Sequence, residues 1–268
     1  MKPMKISLPF RKSRPRVAVL RLQGVIGAGD RAPLNDAALA PSIEKAFRKG
    51  KPVAVALIIN SPGGSPVQSS LIAARIRRLS AEKKVPVHAF VEDIAASGGY
   101  WLAAAADDIY ADPASVVGSI GVISSGFGAH EFIAKHGITR RVYTSVHSKS
   151  MLDPFLPEKP DDVARLKEIL GDMHTVFEGY VRERRGAALT DDPDLFTGRV
   201  WLAEKAQKLG LIDGIGQAQP KLKELYGDKV RFMNYGRKRG LMQRFGMSLA
   251  NETAGLIEER AAFARFGL

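Results

Sequence analysis

The sequence predicts a layered α/β domain built around a mostly parallel sheet. Three apolar stretches, each followed by a glycine-bearing turn and a helical pattern, indicate this fold; they cover residues 17–22, 53–59 and 85–91. The stretch 53–59 is apolar at nearly every position, which is typical of a strand covered on both faces. Strands that alternate with helices at this spacing favour βαβ units.

The remaining elements follow in chain order. Asn35 or Asp36 is a suitable cap for a first helix, which ends before Gly50. Further helical patterns cover residues 67–79, 101–106, 160–185 and 202–209, and residues 108–112 form a short strand. We expect a flexible basic arm over residues 1–14, a main domain over 15–225, and a basic extension over 226–268. That extension ends in a helix that Asn251 could cap.

The amino-acid composition limits the kinds of functional site and partner that the chain can have. The 268 residues include no cysteine, which excludes disulfides, thiolate metal sites and a cysteine nucleophile. The net charge of +12 is concentrated at the two ends of the chain, which suits contact with an anionic membrane surface. No apolar stretch is long enough to span a bilayer, so we expect a cytoplasmic or peripheral protein. Nucleic acid is not expected as a partner, because no zinc finger, aromatic stripe or helix-turn-helix signature is present.

Ser97 is the strongest candidate for a catalytic side chain. It follows the apolar stretch 85–91 and precedes two glycines and a helical pattern, which is how several hydrolase folds present a nucleophile. Glycine-bearing turns also follow at residues 61–64 and 118–121, and such turns gather at the carboxyl ends of parallel strands. The N–H groups of Gly64 and Gly98 are therefore candidate oxyanion donors.

The base that would activate Ser97 is harder to identify. None of the five histidines belongs to a pairing motif. Lys149 lies in a loop-like stretch between Val142 and Pro154. A lysine serves as base only when it is neutral, which requires burial away from other charges, and most lysines are solvated. Spacing alone leaves the base open.

Several motifs together resemble one family. They are the segments 60–64 (NSPGG), 96–100 (ASGGY), 118–123 (GSIGVI), 148–150 (SKS), 198–201 (GRVW) and 209–214 (LGLIDG). As an ordered set across residues 16–225, they resemble the signal peptide peptidase A (protease IV) family, in its short form with a single catalytic domain.

The resemblance implies a Clp-protease/crotonase-like fold of repeated ββα units and a serine endopeptidase without metal or cofactor. It implies Ser97 as nucleophile, Lys149 as general base, Ser119 as the hydroxyl that orients the lysine, and Gly64 and Gly98 as oxyanion donors. Substrates would be signal-peptide remnants or unfolded and membrane-derived segments. Homo-oligomeric rings or domes are also implied, with Ser97 and Lys149 in one chain or in neighbouring chains.

Two departures from the family pattern stand out. No membrane anchor is visible near the N-terminus, and Ser150 stands where many members carry an acidic residue.

A Clp-like Ser–His–Asp site would need a histidine in residues 121–125, and none is there. A crotonase-like acyl-CoA hydratase or isomerase and a non-catalytic membrane-associated scaffold remain as alternatives.

Overall fold

A computed structural model of the chain describes residues 14–28, 34–146, 149–236 and 260–268. Within these ranges eight strands form one sheet. They are β1 (Arg16–Gln23), β2 (Ala54–Ser61), β3 (Val87–Ala96), β4 (Asp108–Ala111), β5 (Val116–Gly118), β6 (Val200–Leu202), β7 (Gly214–Ile215) and β8 (Arg231–Tyr235).

The sheet is parallel apart from one pair. Its main path runs β6-β5-β3-β2-β1-β8, and β4 joins it by pairing with β3 and with β7. Only β5 and β6 are antiparallel among the described strands. All eight residues of β2 are buried, as its continuous apolar pattern predicts. The α/β class with a parallel sheet is confirmed.

Seven helices connect these strands in the described part of the chain. They are α1 (Asp36–Arg48), α2 (Pro66–Lys83), α3 (Gly98–Ala103), α4 (His130–Lys135), α5 (Pro160–Arg185), α6 (Ala203–Lys208) and α7 (Ala218–Tyr226). The side chain of Asn35, one of the two residues that the sequence offers as a cap, caps α1 by accepting a hydrogen bond from the Ala38 N–H at 2.8 Å.

The two faces of the sheet have separate apolar cores. The larger core joins inward residues of β1 to β3 with helices α1, α2, α3 and α5, and Ile43, Ile72, Leu102 and Phe177 belong to it. The smaller core lies on the other face, hereafter the second face, where Ile58 and Phe90 meet Leu222 of α7. Two-sided coverage explains why the central strands are apolar throughout.

The structure differs from the sequence prediction in the start of one helix and in the presence of one strand. The helix expected over residues 101–106 begins at Gly98, directly after Ser97. β8 was not predicted, and it pairs in parallel with β1 at the edge of the sheet. Its residues are exposed or half-buried, so it lacks a strong apolar signal. Asn251, the predicted cap of the last helix, lies outside the described residues, whereas residues 260–264 are helical.

A long segment stands away from both cores. None of the described residues between Gly121 and Val176 is buried, although this segment, called here the exposed arm, includes α4 and most of α5. It is not polar throughout: Phe127 is 95% exposed and Tyr143 is 90% exposed. Large exposed apolar side chains in one segment are typical of a surface that another molecule covers.

The last turns of α5 fasten the exposed arm to the core. Phe177 stacks on Trp101 of α3 with ring centroids 4.6 Å apart, and Tyr180 stacks on the same indole at 5.2 Å. Arg185 pairs with Asp213 at 2.9 Å and donates to the Gly210 carbonyl oxygen. The helix that follows Ser97 is thereby packed directly against α5.

Replacing Phe177 tests this anchor. Phe177→Ala should lower the free energy of unfolding by about 3–5 kcal/mol, because it opens a cavity beside Trp101. Val176→Ala, one residue earlier and 63% exposed, should change it by less than about 0.5 kcal/mol. Urea denaturation followed by circular dichroism measures both. Equal losses in the two variants would contradict the packing described.

Candidate active site

Ser97 occupies the junction between β3 and α3 in a strained backbone conformation. Its φ is 52° and its ψ is −122°, a region that residues with a Cβ atom rarely adopt. Its N–H donates to the Gly118 carbonyl oxygen at 2.8 Å, and its own carbonyl oxygen accepts from the Trp101 N–H at 3.1 Å. The Ser97 side chain is half-buried and does not cap α3, so the hydroxyl remains available for chemistry.

Ser119 occupies the equivalent position on the neighbouring strand. Ala96 of β3 is paired with Gly118 of β5, and the next residue on each strand is the serine in question. Ser119 also has a positive φ, 53°, and its N–H donates to the Arg199 carbonyl oxygen at 2.7 Å. The structure thus places Ser97 and Ser119 side by side at the carboxyl ends of adjacent strands.

The glycine loop after β2 closes against the same point. A Cβ atom on Gly63 would lie 2.8 Å from the Gly98 nitrogen and 2.8 Å from Ser97 Cβ. A Cβ atom on Gly98 would lie 3.4 Å from the Gly64 nitrogen. The two predicted oxyanion donors are therefore brought together beside Ser97, at a spot where only glycine leaves room.

Residues that the sequence did not single out hold this loop. Ile26 clamps it from both sides, since its N–H donates to the Gly63 carbonyl oxygen and its own carbonyl oxygen accepts from the Ser65 N–H, each at 2.8 Å. Buried Ser61 donates its hydroxyl to the Gly24 carbonyl oxygen at 2.7 Å and accepts from the Gly63 N–H at 3.3 Å. Ser61 belongs to the glycine-turn motif, but nothing in the sequence pointed to Ile26.

Tyr100 secures the helix that begins after Ser97. Its ring is fully buried, and its hydroxyl donates to the Leu211 carbonyl oxygen at 2.8 Å. Burial raises the pKa of Tyr100 well above its usual range, so the hydroxyl keeps its proton and remains a donor at physiological pH. Every residue of α3 is buried, which leaves the turn at Ser97 little freedom to relax.

Lys149 lies on the exposed arm. Its side chain is exposed, and its backbone N–H reaches the Val146 carbonyl oxygen at 3.4 Å. Across the described ranges, no hydrogen bond joins Lys149 to Ser97 or Ser119. The carboxylate of Asp153 pairs with Arg140 at 3.0 Å; the Phe155 N–H and Arg140 hold the pKa of that carboxyl below its usual value. Within the single chain, the Lys149 side chain is therefore exposed to solvent rather than buried beside Ser97.

Among the residues that the structure describes, no histidine pairs with Ser97. Buried His88 lies between Asp108, at 2.9 Å, and the Tyr226 hydroxyl, at 2.7 Å, on the second face of the sheet. His130, His136 and His174, like His88, make no hydrogen bond to Ser97. The portion of the chain that the structure describes contains no cluster of three or more His, Cys, Asp or Glu side chains suited to a metal ion.

No described helix is both long and apolar enough to cross a membrane.

Comparison with known proteins finds a family whose sequence model matches this chain. The family model described as Peptidase family S49 matches residues 80–229, which include Ser97, Ser119 and Lys149. A putative protease of Synechocystis, slr0021, is 30% identical over 209 residues, which cover 78% of this chain and 73% of that protein. The chloroplastic serine protease SPPA of Arabidopsis thaliana is 30% identical over 219 residues, 79% of this chain and 32% of that protein.

A second kind of relative is named after a different activity and is matched over nearly the whole of this chain. A Brucella melitensis protein named Na(+)/H(+) antiporter NhaA is 46% identical over 278 residues, 97% of this chain. This chain spans only 38% of that relative's length. Among solved structures, a membrane-bound stomatin-specific protease gives a TM-score of 0.48 at 14% identity, over 84% of this chain and 100% of that one.

The strained turn at Ser97 leads to a stability prediction. Ser97→Gly should exceed Ser97→Ala in free energy of unfolding by about 1 kcal/mol, because glycine adopts a positive φ without a Cβ clash. The same pair of substitutions at exposed Ser125, which has no positive φ, should show no such gain for glycine. Urea denaturation of the four variants gives the comparison. If glycine were more stable than alanine by the same free energy at Ser125 as at Ser97, the backbone strain at Ser97 would be contradicted.

Proposed function

Because this chain belongs to peptidase family S49 and carries its serine-peptidase domain, we propose that it is an endopeptidase that works through a Ser97–Lys149 dyad. The observation that carries the proposal is the position of Ser97. A strained turn places this serine beside two glycine N–H groups and beside Ser119, at the carboxyl ends of parallel strands. Peptides are the substrates, with signal-peptide remnants and unfolded or membrane-derived segments as their sources.

The first half of the reaction forms an acyl-enzyme. Neutral Lys149 Nζ takes the proton of the Ser97 hydroxyl, and Ser97 Oγ bonds to the carbonyl carbon of the peptide. Ser119 accepts a hydrogen bond from the Lys149 amine and so orients it. When the tetrahedral intermediate collapses, the C–N bond breaks, and Lys149 returns the proton to the leaving amine.

The second half releases the product. Lys149 takes a proton from water, whose oxygen attacks the acyl carbon, and the C–O bond to Ser97 breaks as the proton returns to Ser97 Oγ. In both halves the developing oxyanion faces the N–H groups of Gly64 and Gly98. The loss of one such donor typically raises the barrier by about 2.7–4 kcal/mol. The clamp by Ile26 keeps Gly64 in place before substrate arrives.

The exposed position of Lys149 calls for a second chain to complete the proposed dyad. We propose that the exposed arm packs against neighbouring copies in a ring or dome, and that Lys149 then serves Ser97 of a neighbouring chain. The apolar side chains Phe127, Phe132 and Tyr143, all largely exposed here, would be covered by this packing. Burial in the assembly also removes Lys149 from water, which favours its neutral form.

The setting we propose is a membrane surface. The basic residues at both ends suit anionic headgroups, and a relative that is 46% identical carries the name of a membrane antiporter. Antiport itself is not carried over, because this chain corresponds to only 38% of that protein. Binding to vesicles with anionic lipid that weakens as salt rises would support this setting.

Single substitutions test the dyad. Ser97→Ala and Lys149→Ala should each reduce cleavage of an unstructured fluorogenic peptide at least a thousandfold, because each removes a group that takes part in both proton transfers. Lys229→Ala, at an exposed lysine outside the exposed arm, should stay within about twofold. Near-normal turnover by Lys149→Ala would refute the serine–lysine assignment.

Mixing the inactive variants tests the shared site. If Ser97 and Lys149 come from neighbouring chains, a refolded mixture of Ser97→Ala and Lys149→Ala chains should regain activity that neither has alone, because some interfaces then combine both intact residues. The control is a mixture of Ser97→Ala with the double variant Ser97→Ala/Lys149→Ala, which contains no intact Ser97. A mixture as inactive as this control would place the dyad within one chain.

A further inference from the structure

The second face of the sheet contains a groove that the proposed reaction does not use. Its volume is about 810 Å³. Its floor consists of apolar side chains from β1, β2, β3, α7 and β8, namely Val19, Ile58, Phe90, Leu222 and Phe232. We call it the back groove. The helices α1 and α2 pack on the opposite face, so the back groove is separated from them by the sheet.

The rim of the back groove is acidic. Glu92, Asp93 and Asp112 line it, and of the described residues in its lining only Arg21 is cationic. Arg21 is already paired with Glu92 at 2.5 Å. Asp93 accepts a hydrogen bond from the Asn60 side chain at 2.6 Å, and Asp112 accepts one from Gln217 at 3.2 Å. A neutral donor does not cancel a charge, so the rim favours a basic occupant.

The segment 260–268 borders the back groove through Leu268, which is 50% exposed. Leu268, the last residue, contributes to its lining together with Asn234 of β8. The helical turn before Leu268 ends at Gly267, whose φ is 79°, and the Leu268 N–H reaches back to the Phe263 carbonyl oxygen at 3.4 Å. This is the geometry of a glycine C-cap, which turns the residue after the glycine back along the helix.

The chemistry of residues 260–268 matches the back groove. This segment contains Phe263, Phe266 and Leu268 together with Arg260 and Arg265, and it contains no acidic side chain. Its apolar residues suit the apolar floor, and its two arginines suit the acidic rim. We propose that the back groove is a docking site for the C-terminal segment 260–268 of the same chain, with half-buried Phe263 and Phe266 as its main apolar contacts and Leu268 at its edge.

Docking of this segment has a structural consequence. It covers apolar surface on a face that α7 covers only in part. The site is distinct from the peptidase site, because the back groove lies on the second face of the sheet, whereas Ser97 and Ser119 follow the carboxyl ends of β3 and β5. The proposal therefore does not rest on the proposed peptidase function.

Disulfide cross-linking in the full-length chain tests the docking directly. The natural sequence has no cysteine, so an engineered pair reports without background. The test variant combines Leu268→Cys with Asn234→Cys, which lines the back groove. The matched control combines Leu268→Cys with Met233→Cys, the preceding residue of β8, which is exposed but does not line the groove. Successive strand residues point to opposite faces of a sheet.

The expected result is an intramolecular disulfide that forms at least tenfold faster in the test variant than in the control under mild oxidation. Intact-mass spectrometry and non-reducing gels measure it. Adding Phe232→Ser to the test variant should slow the reaction, because it removes apolar floor. Equal rates in test and control, or no disulfide in either, would overturn the proposal. A disulfide between two chains would overturn it as well, because the tail would then dock on a neighbour.

Discussion

The arrangement of the candidate site depends on the hydrogen bond from the Ser97 N–H to the Gly118 carbonyl oxygen, which joins the turn after β3 to β5. It continues the parallel pairing of β3 with β5 one residue beyond the strand, at the position where the backbone of Ser97 has a φ of 52°. The strain of such a residue, of the order of 1–3 kcal/mol, persists only where the surroundings over-determine the backbone. Here the fully buried α3 and the Tyr100 hydrogen bond provide that constraint.

The glycines follow from the same constraint. The loop after β2 passes so close to the Ser97 turn that a side chain at Gly63 would overlap its backbone, and a side chain at Gly64 would overlap the backbone of Ile26 on the other side. The close approach brings two N–H groups to the place where an oxyanion would form. Ile26 and Ser61 then hold the loop through backbone and hydroxyl hydrogen bonds. Preorganised donors of this kind need no rearrangement during the reaction.

Much of this arrangement could be predicted from the sequence, and the reasons for the failures are physical. The apolar run of β2 and the capping residues before α1 are local signals; the buried strand was confirmed, and Asn35 is the one of the two candidate caps that the helix uses. β8 pairs at the sheet edge with exposed residues, so no periodicity revealed it. The helical pattern over residues 160–185 predicted α5, but not that its apolar residues before Phe177 would remain unburied. A pattern shows that a face is apolar, and only the structure shows what covers it.

The same limit applies to Lys149. Its motif marks it in the sequence, whereas its distance from Ser97 depends on how the exposed arm packs, which no local signal encodes. The most direct test of the central claim is to react the protein with a serine-directed phosphonylating reagent and map the adduct by mass spectrometry. We predict a single adduct on Ser97, with labelling slowed at least a hundredfold in Lys149→Ala, because the hydroxyl then loses its base. An adduct on another serine, or equal labelling of Ser97 with and without Lys149, would contradict the account.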